Sequence, residues 1–480
     1  MNRRMVLYML GNVVKLEAAL MIPALITSLI YKESCAMVFL IAIAIALLIG
    51  FSLTLVFKPS TKVIFAKEGF VIVALSWLIL SLIGALPFYL SKEIPSFIDA
   101  FFETVSGFTT TGASILTDVE AMSKGLLFWR SFTHWIGGMG VLVFIMAVVN
   151  TLSDRSIHIL RAESPGPIIG KLVPKMKQTT RILYIIYIVL TLLNFMFLLI
   201  GKMPVYEALV HALGTAGTGG FGIKADSFGS YSPYLQWVTT IFMFIFGVNF
   251  NIYYLFLIKK WKTAIKSGEF IFYLSVVAMA ITLISINITP LADSVGDAIR
   301  HAAFQVGTVM STTGYATTDF NQWPIFSKAI IFLLMFMGGC AGSTAGGFKC
   351  ARVILLIKKS RREVKKLLHP RSVNTMRFEG KTVDNPIVSS TSAYLVVYIM
   401  ILCVAFLLLS LDGFDFETTL SASVSCLNNV GPAFGAAGPA SSYAAFSPFS
   451  KLMLSFLMLF GRLEIYPMLI ALSPSTWSKK

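Results

Sequence analysis

Apolar residues in this chain come in runs of about 20, the length that carries a helix across the hydrocarbon of a bilayer, rather than in amphipathic stripes or strand-like alternation. Ten runs are read as spans: Tyr8 to Ile30, Ala36 to Phe57, Gly69 to Leu90, Gly125 to Val149, Ile182 to Ile200, Tyr234 to Ile258, Phe270 to Ile288, Ile325 to Ile357, Val388 to Leu411 and Ser447 to Leu472. Four connections break the rhythm. Each holds a short amphipathic stretch, then a Gly/Thr-rich turn, then the next span.

The turns are Thr110-Thr111-Gly112-Ala113-Ser114, Thr218-Gly219-Gly220-Phe221-Gly222, Thr312-Thr313-Gly314-Tyr315-Ala316 and Asn429-Val430-Gly431-Pro432-Ala433. Gly112, Gly220, Gly314 and Gly431 are separated by 108, 94 and 117 residues, a period that marks an internal repeat. The chain is therefore read as all-α and polytopic, with four span–pore helix–span repeats in a pseudo-fourfold arrangement around one pore. The division is 1–67 for an extra N-terminal pair of spans, then 68–180, 181–267, 268–386 and 387–480 for the repeats.

Charge adds an orientation. Lys and Arg number 39 against 23 Asp and Glu, a formal balance of +16, yet only 13% of residues are charged and 56% are apolar. That excludes a soluble globular domain, a disordered chain and a secreted disulfide scaffold. The positive residues lie between spans, so topology explains them better than nucleic acid does. Segments on the side of the termini hold 28 of the 39 basic residues with seven acids; on the other side 14 acids outnumber eight basic residues. Both termini are expected in the cytoplasm, with the first span retained and the acidic face attracting cations. Cys35, Cys340, Cys350, Cys403 and Cys426 are scattered and read as core thiols.

Non-helical backbone at membrane depth is tolerated where it is buried in protein or lines a wet cavity. Four such turns converging on one axis make a ring of carbonyls that can replace the hydration shell of a cation, with the negative ends of four short helices aimed at it. The candidate filter residues are Thr110, Thr111, Gly112, Thr218, Gly219, Gly220, Thr312, Thr313, Gly314, Asn429, Val430 and Gly431.

On these motifs the sequence resembles the TrkH/KtrB/HKT superfamily of potassium transporters over nearly its whole length. The extra spans before Gly69 and the string Asn428 to Pro432 are most similar to the TrkH branch. The resemblance implies potassium uptake across the bacterial inner membrane, with K+ bound at the filter and no organic cofactor. It also implies a homodimer with one pore per subunit and a cytoplasmic TrkA-like nucleotide-binding ring as partner. An ion-coupled symporter, driven by protons or sodium, is the alternative, and an enzyme is not expected because no catalytic cluster is visible. One departure from the pattern stands out: Gly219 occupies the place of Thr111 and Thr313.

Residues Gly338 to Gly347 hold five glycines in ten, which a continuous helix does not favour, since each Gly costs about 0.8–1.0 kcal/mol relative to Ala. Two half-helices joined by a loop are expected, against the alternative of close packing through small residues. In the resembling family this loop obstructs the pore. The gate residues are therefore read as Gly338, Gly339, Gly342, Ser343, Thr344, Gly346, Gly347 and Arg462. Arg462, a lone charge deep in the last span, needs partners, and the loop carbonyls are the candidates. Arg130 and His134 remain open between an outer vestibule and a buried pair, while His211 and His301 read as structural. Asn249 and Asn251 are read as pore-lining or as helix bridges. Ser343, Thr344 and Lys349 resemble a phosphate loop only superficially, lacking a preceding strand. The basic segment between Ile357 and Val388 suits a partner or anionic membrane lipid.

Overall fold

A computed structural model of the chain describes residues 1–59, 64–140, 176–370, 375–383 and 385–478. The second half of the Gly125–Val149 run and the basic residues Lys62, Arg155, Arg161, Lys171, Lys175, Arg371, Lys479 and Lys480 lie outside these. Short turns aside, the helices begin with α1 (Arg3–Leu20), α2 (Ile22–Ile30) and α3 (Cys35–Val56). Next come α4 (Ala66–Gly84), α5 (Phe97–Phe108) and α6 (Lys124–Gly138), then α7 (Met176–Ile200), α8 (Val205–Gly217), α9 (Pro233–Gly247) and α10 (Phe250–Leu257). The third group is α11 (Gly268–Ile288), α12 (Val295–Met310), α13 (Ile325–Met337) and α14 (Cys350–Leu368). A small antiparallel hairpin of β1 (Arg377–Phe378) and β2 (Lys381–Thr382) leads to α15 (Asn385–Leu409), α16 (Phe416–Leu427), α17 (Pro448–Arg462) and α18 (Tyr466–Leu472).

The long helices α3, α7, α11 and α15 are apolar around much of their circumference, and Leu48, Leu55, Ile286 and Leu407 among others stay exposed. Such a surface suits hydrocarbon and not water. Among the described residues, six helical stretches are long and apolar enough to cross a membrane: Arg3–Ile30, Cys35–Val56, Lys67–Leu90, Arg181–Ile200, Gly268–Leu291 and Asn385–Asp412. The chain is a polytopic, all-α membrane protein. Both termini meet at one end of the molecule, where Arg3 donates to the carbonyl of Trp477 at 2.8 Å.

The remaining expected spans are not continuous. Only the third was read as broken, at its glycine-rich stretch, yet the other two that are fully described break too. The run Tyr234–Ile258 bends by 91° between α9 and α10, and the last run is interrupted between α17 and α18, where Glu464 and Ile465 take positive φ. In the first repeat α6 ends at Gly138. A local cause is visible in the second repeat: Asn249 ends the apolar continuity and caps α10 by accepting the Asn251 amide at 2.9 Å.

The short helices α5, α8, α12 and α16 stand in the middle of the molecule, mostly buried. Each is packed by the preceding repeat: α6 lies on α8, α9 on α12, α13 on α16, and α17 returns to α5. That cyclic order closes the four units around a common centre.

Candidate functional site

All four short helices end in the same way. Near each end one residue has φ of about +55°, namely Thr110, Thr218, Thr312 and Asn429. Its amide donates to the carbonyl three residues back, and the next amide donates five residues back: Thr111 to Ser106, Gly219 to Gly214, Thr313 to Thr308 and Val430 to Ser425. This is the Schellman ending, which normally places glycine at the left-handed position. Three of the four copies place a β-branched threonine there, at a cost of roughly 1–2 kcal/mol each.

Two residues on, Gly112, Gly220, Gly314 and Gly431 again have positive φ. Their missing side chains point at neighbouring repeats. A Cβ on Gly112 would collide with the Gly219 carbonyl, on Gly220 with that of Thr313, and on Gly431 with that of Thr111. On Gly314 it would lie 2.7 Å from the Val430 carbonyl. The contacts run from repeat to repeat in sequence and close on themselves. Diagonal distances are short as well: a Cβ on Gly112 would be 3.4 Å from the Thr313 carbonyl. The four turns expected to converge therefore do so, around a narrow opening. Above them lies a cavity of about 350 Å³ to which all four glycines contribute.

The ring is not uniform. The Gly431 carbonyl accepts from the hydroxyl of Tyr443 at 2.8 Å, and the Ser425 hydroxyl lies 2.9 Å from both the Gly431 and Pro432 carbonyls. Asn429 ties the fourth turn to the first, donating to Thr111 Oγ1 at 3.0 Å and to the Met458 carbonyl at 2.9 Å. Arg130 proves to be both of the things left open for it. It pairs with the fully buried Glu103 at 2.5 Å, donates to the Gly222 carbonyl at 3.0 Å, and lines the cavity. His134 Nδ1 lies 2.7 Å from the Gly107 carbonyl, and its Nε2 accepts the Phe221 amide at 3.3 Å. His211 meets Tyr231 and His301 meets Thr317, as structural histidines do.

Residues 338–349 form a loop between α13 and α14 directly against these turns. The Gly346 amide donates to Thr312 Oγ1 at 2.6 Å, and a Cβ on Gly346 would lie 2.6 Å from the Asn428 carbonyl. Arg462 donates to the Thr344 carbonyl at 2.8 Å; its other arm reaches Gly137 and Gly138, at 2.5 and 2.8 Å. It holds one loop carbonyl, then, and joins it to the end of α6. Glu464, on the following turn, pairs with Arg352.

Three partners of the loop escaped the sequence reading. Buried Lys349 donates to the Ala345 carbonyl, Glu269 accepts the Ala341 amide at 2.7 Å, and the Phe250 amide donates to the Gly342 carbonyl at 3.1 Å. In the sequence Lys349 counts among the basic residues on the side of the termini and resembles part of a phosphate loop; it is instead buried in the loop. Asn249 caps α10 and its side chain lies against Gly342, while a side-chain hydrogen bond to Glu269 bridges it to the start of α11. Among the described residues no cluster of His, Cys, Asp and Glu could hold a metal.

A polytopic bundle wrapped around a narrow ring of backbone carbonyls defines a membrane transport protein. The match to the family model of TrkH cation transport proteins covers residues 35–480, and the chain belongs to that family, whose members are transporters and not enzymes. It is 33% identical over 480 residues to the Trk system potassium uptake protein TrkG of Escherichia coli K12, covering 99% of this chain and 98% of that one. To TrkH of Salmonella typhimurium LT2 it is 32% identical over 483 residues, covering 99% and 100%. The crystal structure of the potassium transporter TrkH from Vibrio parahaemolyticus superimposes with a TM-score of 0.89 at 29% identity, over all of both chains.

Proposed function

We propose that this chain takes up potassium across the cytoplasmic membrane through the ring of four turns, gated from below by the 338–347 loop. The observation that carries the reading is the cyclic contact of each ring glycine with the carbonyl of the next repeat. Carbonyl oxygens on a narrow axis substitute for the water that a cation sheds, and threonine hydroxyls and helix C-termini add negative potential. The filter consists of Thr110–Gly112, Thr218–Gly220, Thr312–Gly314 and Asn429–Gly431, and K+ is the cargo. The relatives named for potassium uptake support this choice of ion.

Several coarser features go with it. The extra pair of spans occupies 1–67 and the four repeats 68–180, 181–267, 268–386 and 387–480. The excess of basic residues on the side of the termini puts both termini in the cytoplasm. The chain works as a homodimer, with a TrkA-like ring docked on its basic cytoplasmic segments. The repeats share one orientation, which favours a channel-like path over an inverted-repeat symporter.

Purified protein in liposomes, offered K+, Rb+ and Na+ separately, tests the reading. Wild type should pass K+ and Rb+ well above Na+. Gly112→Ser and Gly314→Ser should each lower the K+/Na+ permeability ratio by roughly tenfold or more, the effect of forcing a side chain against a carbonyl. Folded variants that both keep the wild-type ratio would remove the ring from the permeation path.

A further inference from the structure

At the middle position of the turns, three repeats carry a side chain, Thr111, Thr313 and Val430, and the second carries Gly219. The space is not empty. A Cβ on Gly219 would fall inside the imidazole of His134, whose ring enters from α6 of the preceding repeat and is wholly buried. The imidazole occupies the volume that a side chain of the second turn would have filled.

Its hydrogen bonds fix its state. The Gly107 carbonyl can only accept, so Nδ1 carries the proton; the Phe221 amide can only donate, so Nε2 is the acceptor and the ring is neutral. One imidazole thereby ties the last turn of α5 to the backbone two residues beyond Gly219. The ring also lies 4.2 Å from that of Phe221 at a tilt of 37°, and the Arg130 guanidinium lies 3.6 Å over the same phenyl ring. The imidazole thus lies directly against Gly219, whose carbonyl is the one that faces Gly112.

We infer that His134 is a positioning residue for ion selectivity: supplied by the first repeat, it sets the Gly219 carbonyl in the ring and thereby the discrimination of potassium from sodium. It touches no ion. In the other turns the pinning is done from within or beside the turn. Thr111 Oγ1 bonds Thr109 at 2.8 Å, and Thr313 Oγ1 bonds Ser311 at 2.6 Å. Gly219 has no side chain with which to do so. The inference rests on the carbonyl-ring reading above.

Full-length protein in liposomes tests it through the K+/Na+ permeability ratio, which does not depend on how much protein is recovered. His134→Leu keeps the volume of the imidazole and removes both hydrogen bonds, whereas His134→Gln keeps a donor and an acceptor. The expected result is a fall of roughly tenfold or more for His134→Leu, the scale set by losing both hydrogen bonds, with His134→Gln within about twofold of wild type. A histidine that only packs predicts the wild-type ratio in both, and that result for folded His134→Leu overturns the inference. Gly112→Ser, measured alongside, separates the two readings. If it lowers the ratio while His134→Leu does not, the ring stands and the role of His134 falls; if Gly112→Ser leaves the ratio unchanged, the ring itself is wrong.

Discussion

Threonine is a costly residue for a left-handed backbone, yet Thr110, Thr218 and Thr312 adopt it at φ +55°. A hydroxyl at that position offers something glycine cannot, and at Thr312 the use is visible, since it receives the Gly346 amide from the loop. The loop is held almost residue by residue: Arg462 on carbonyl 344, Lys349 on carbonyl 345, Thr312 on amide 346. Charge-assisted hydrogen bonds are worth about 1.5–3 kcal/mol each, so Arg462→Ala should raise the basal K+ flux of the protein alone by roughly tenfold, with its K+/Na+ ratio near wild type. Flux from equal amounts of folded protein would check this, and a variant no faster than wild type would count against the clamp. Arg462 was legible in the sequence because a lone charge in an apolar run demands partners. Lys349 was not, because it stands at the edge of a stretch already rich in Lys and Arg. His134 could have been found only by asking what fills the room left by Gly219, a question about space and not about the order of residues.

At the scale of elements, the apolar runs were legible and their interruptions were not. Hydropathy averages over about 20 residues, and Val248-Asn249 or Gly461 to Ile465 change that average little while ending a helix. Only where five glycines crowded into ten residues did composition betray a break. The short central helices were legible from their position before the turns, and their caps can be tested. Asp415 starts α16 by accepting the Thr418 amide at 3.1 Å. Asp415→Ala should lower thermal stability by about 1 kcal/mol, the usual value of an N-cap, as read by thermal unfolding in detergent. The Thr418 hydroxyl bond holds the Asp415 carboxyl below its ordinary 3.8. Its contribution is therefore present at neutral pH and is lost as the pH falls through the folded value, so wild type and Asp415→Ala should converge in acid.

For the whole molecule, the four ring glycines each lie too close to a carbonyl of the next repeat to admit a side chain, so the turns pack directly on one another. If a TrkA-like ring is the partner, co-reconstitution should change K+ flux in response to nucleotide; flux indifferent to the ring, in a complex shown to form, would contradict it. The fourfold plan was legible because the turns recur at about 100 residues, but their cyclic closure depends on helix packing between repeats, to which periodicity is blind. The joining of all four copies in one polypeptide has a further consequence. Four identical subunits around an axis cannot give a plug to one without giving it to all, and four loops the length of 338–349 could not share one narrow opening. As links of a single chain the copies are free to divide the labour: in the proposed mechanism the third would supply the plug and the fourth its latch, while the first lends the second a side chain.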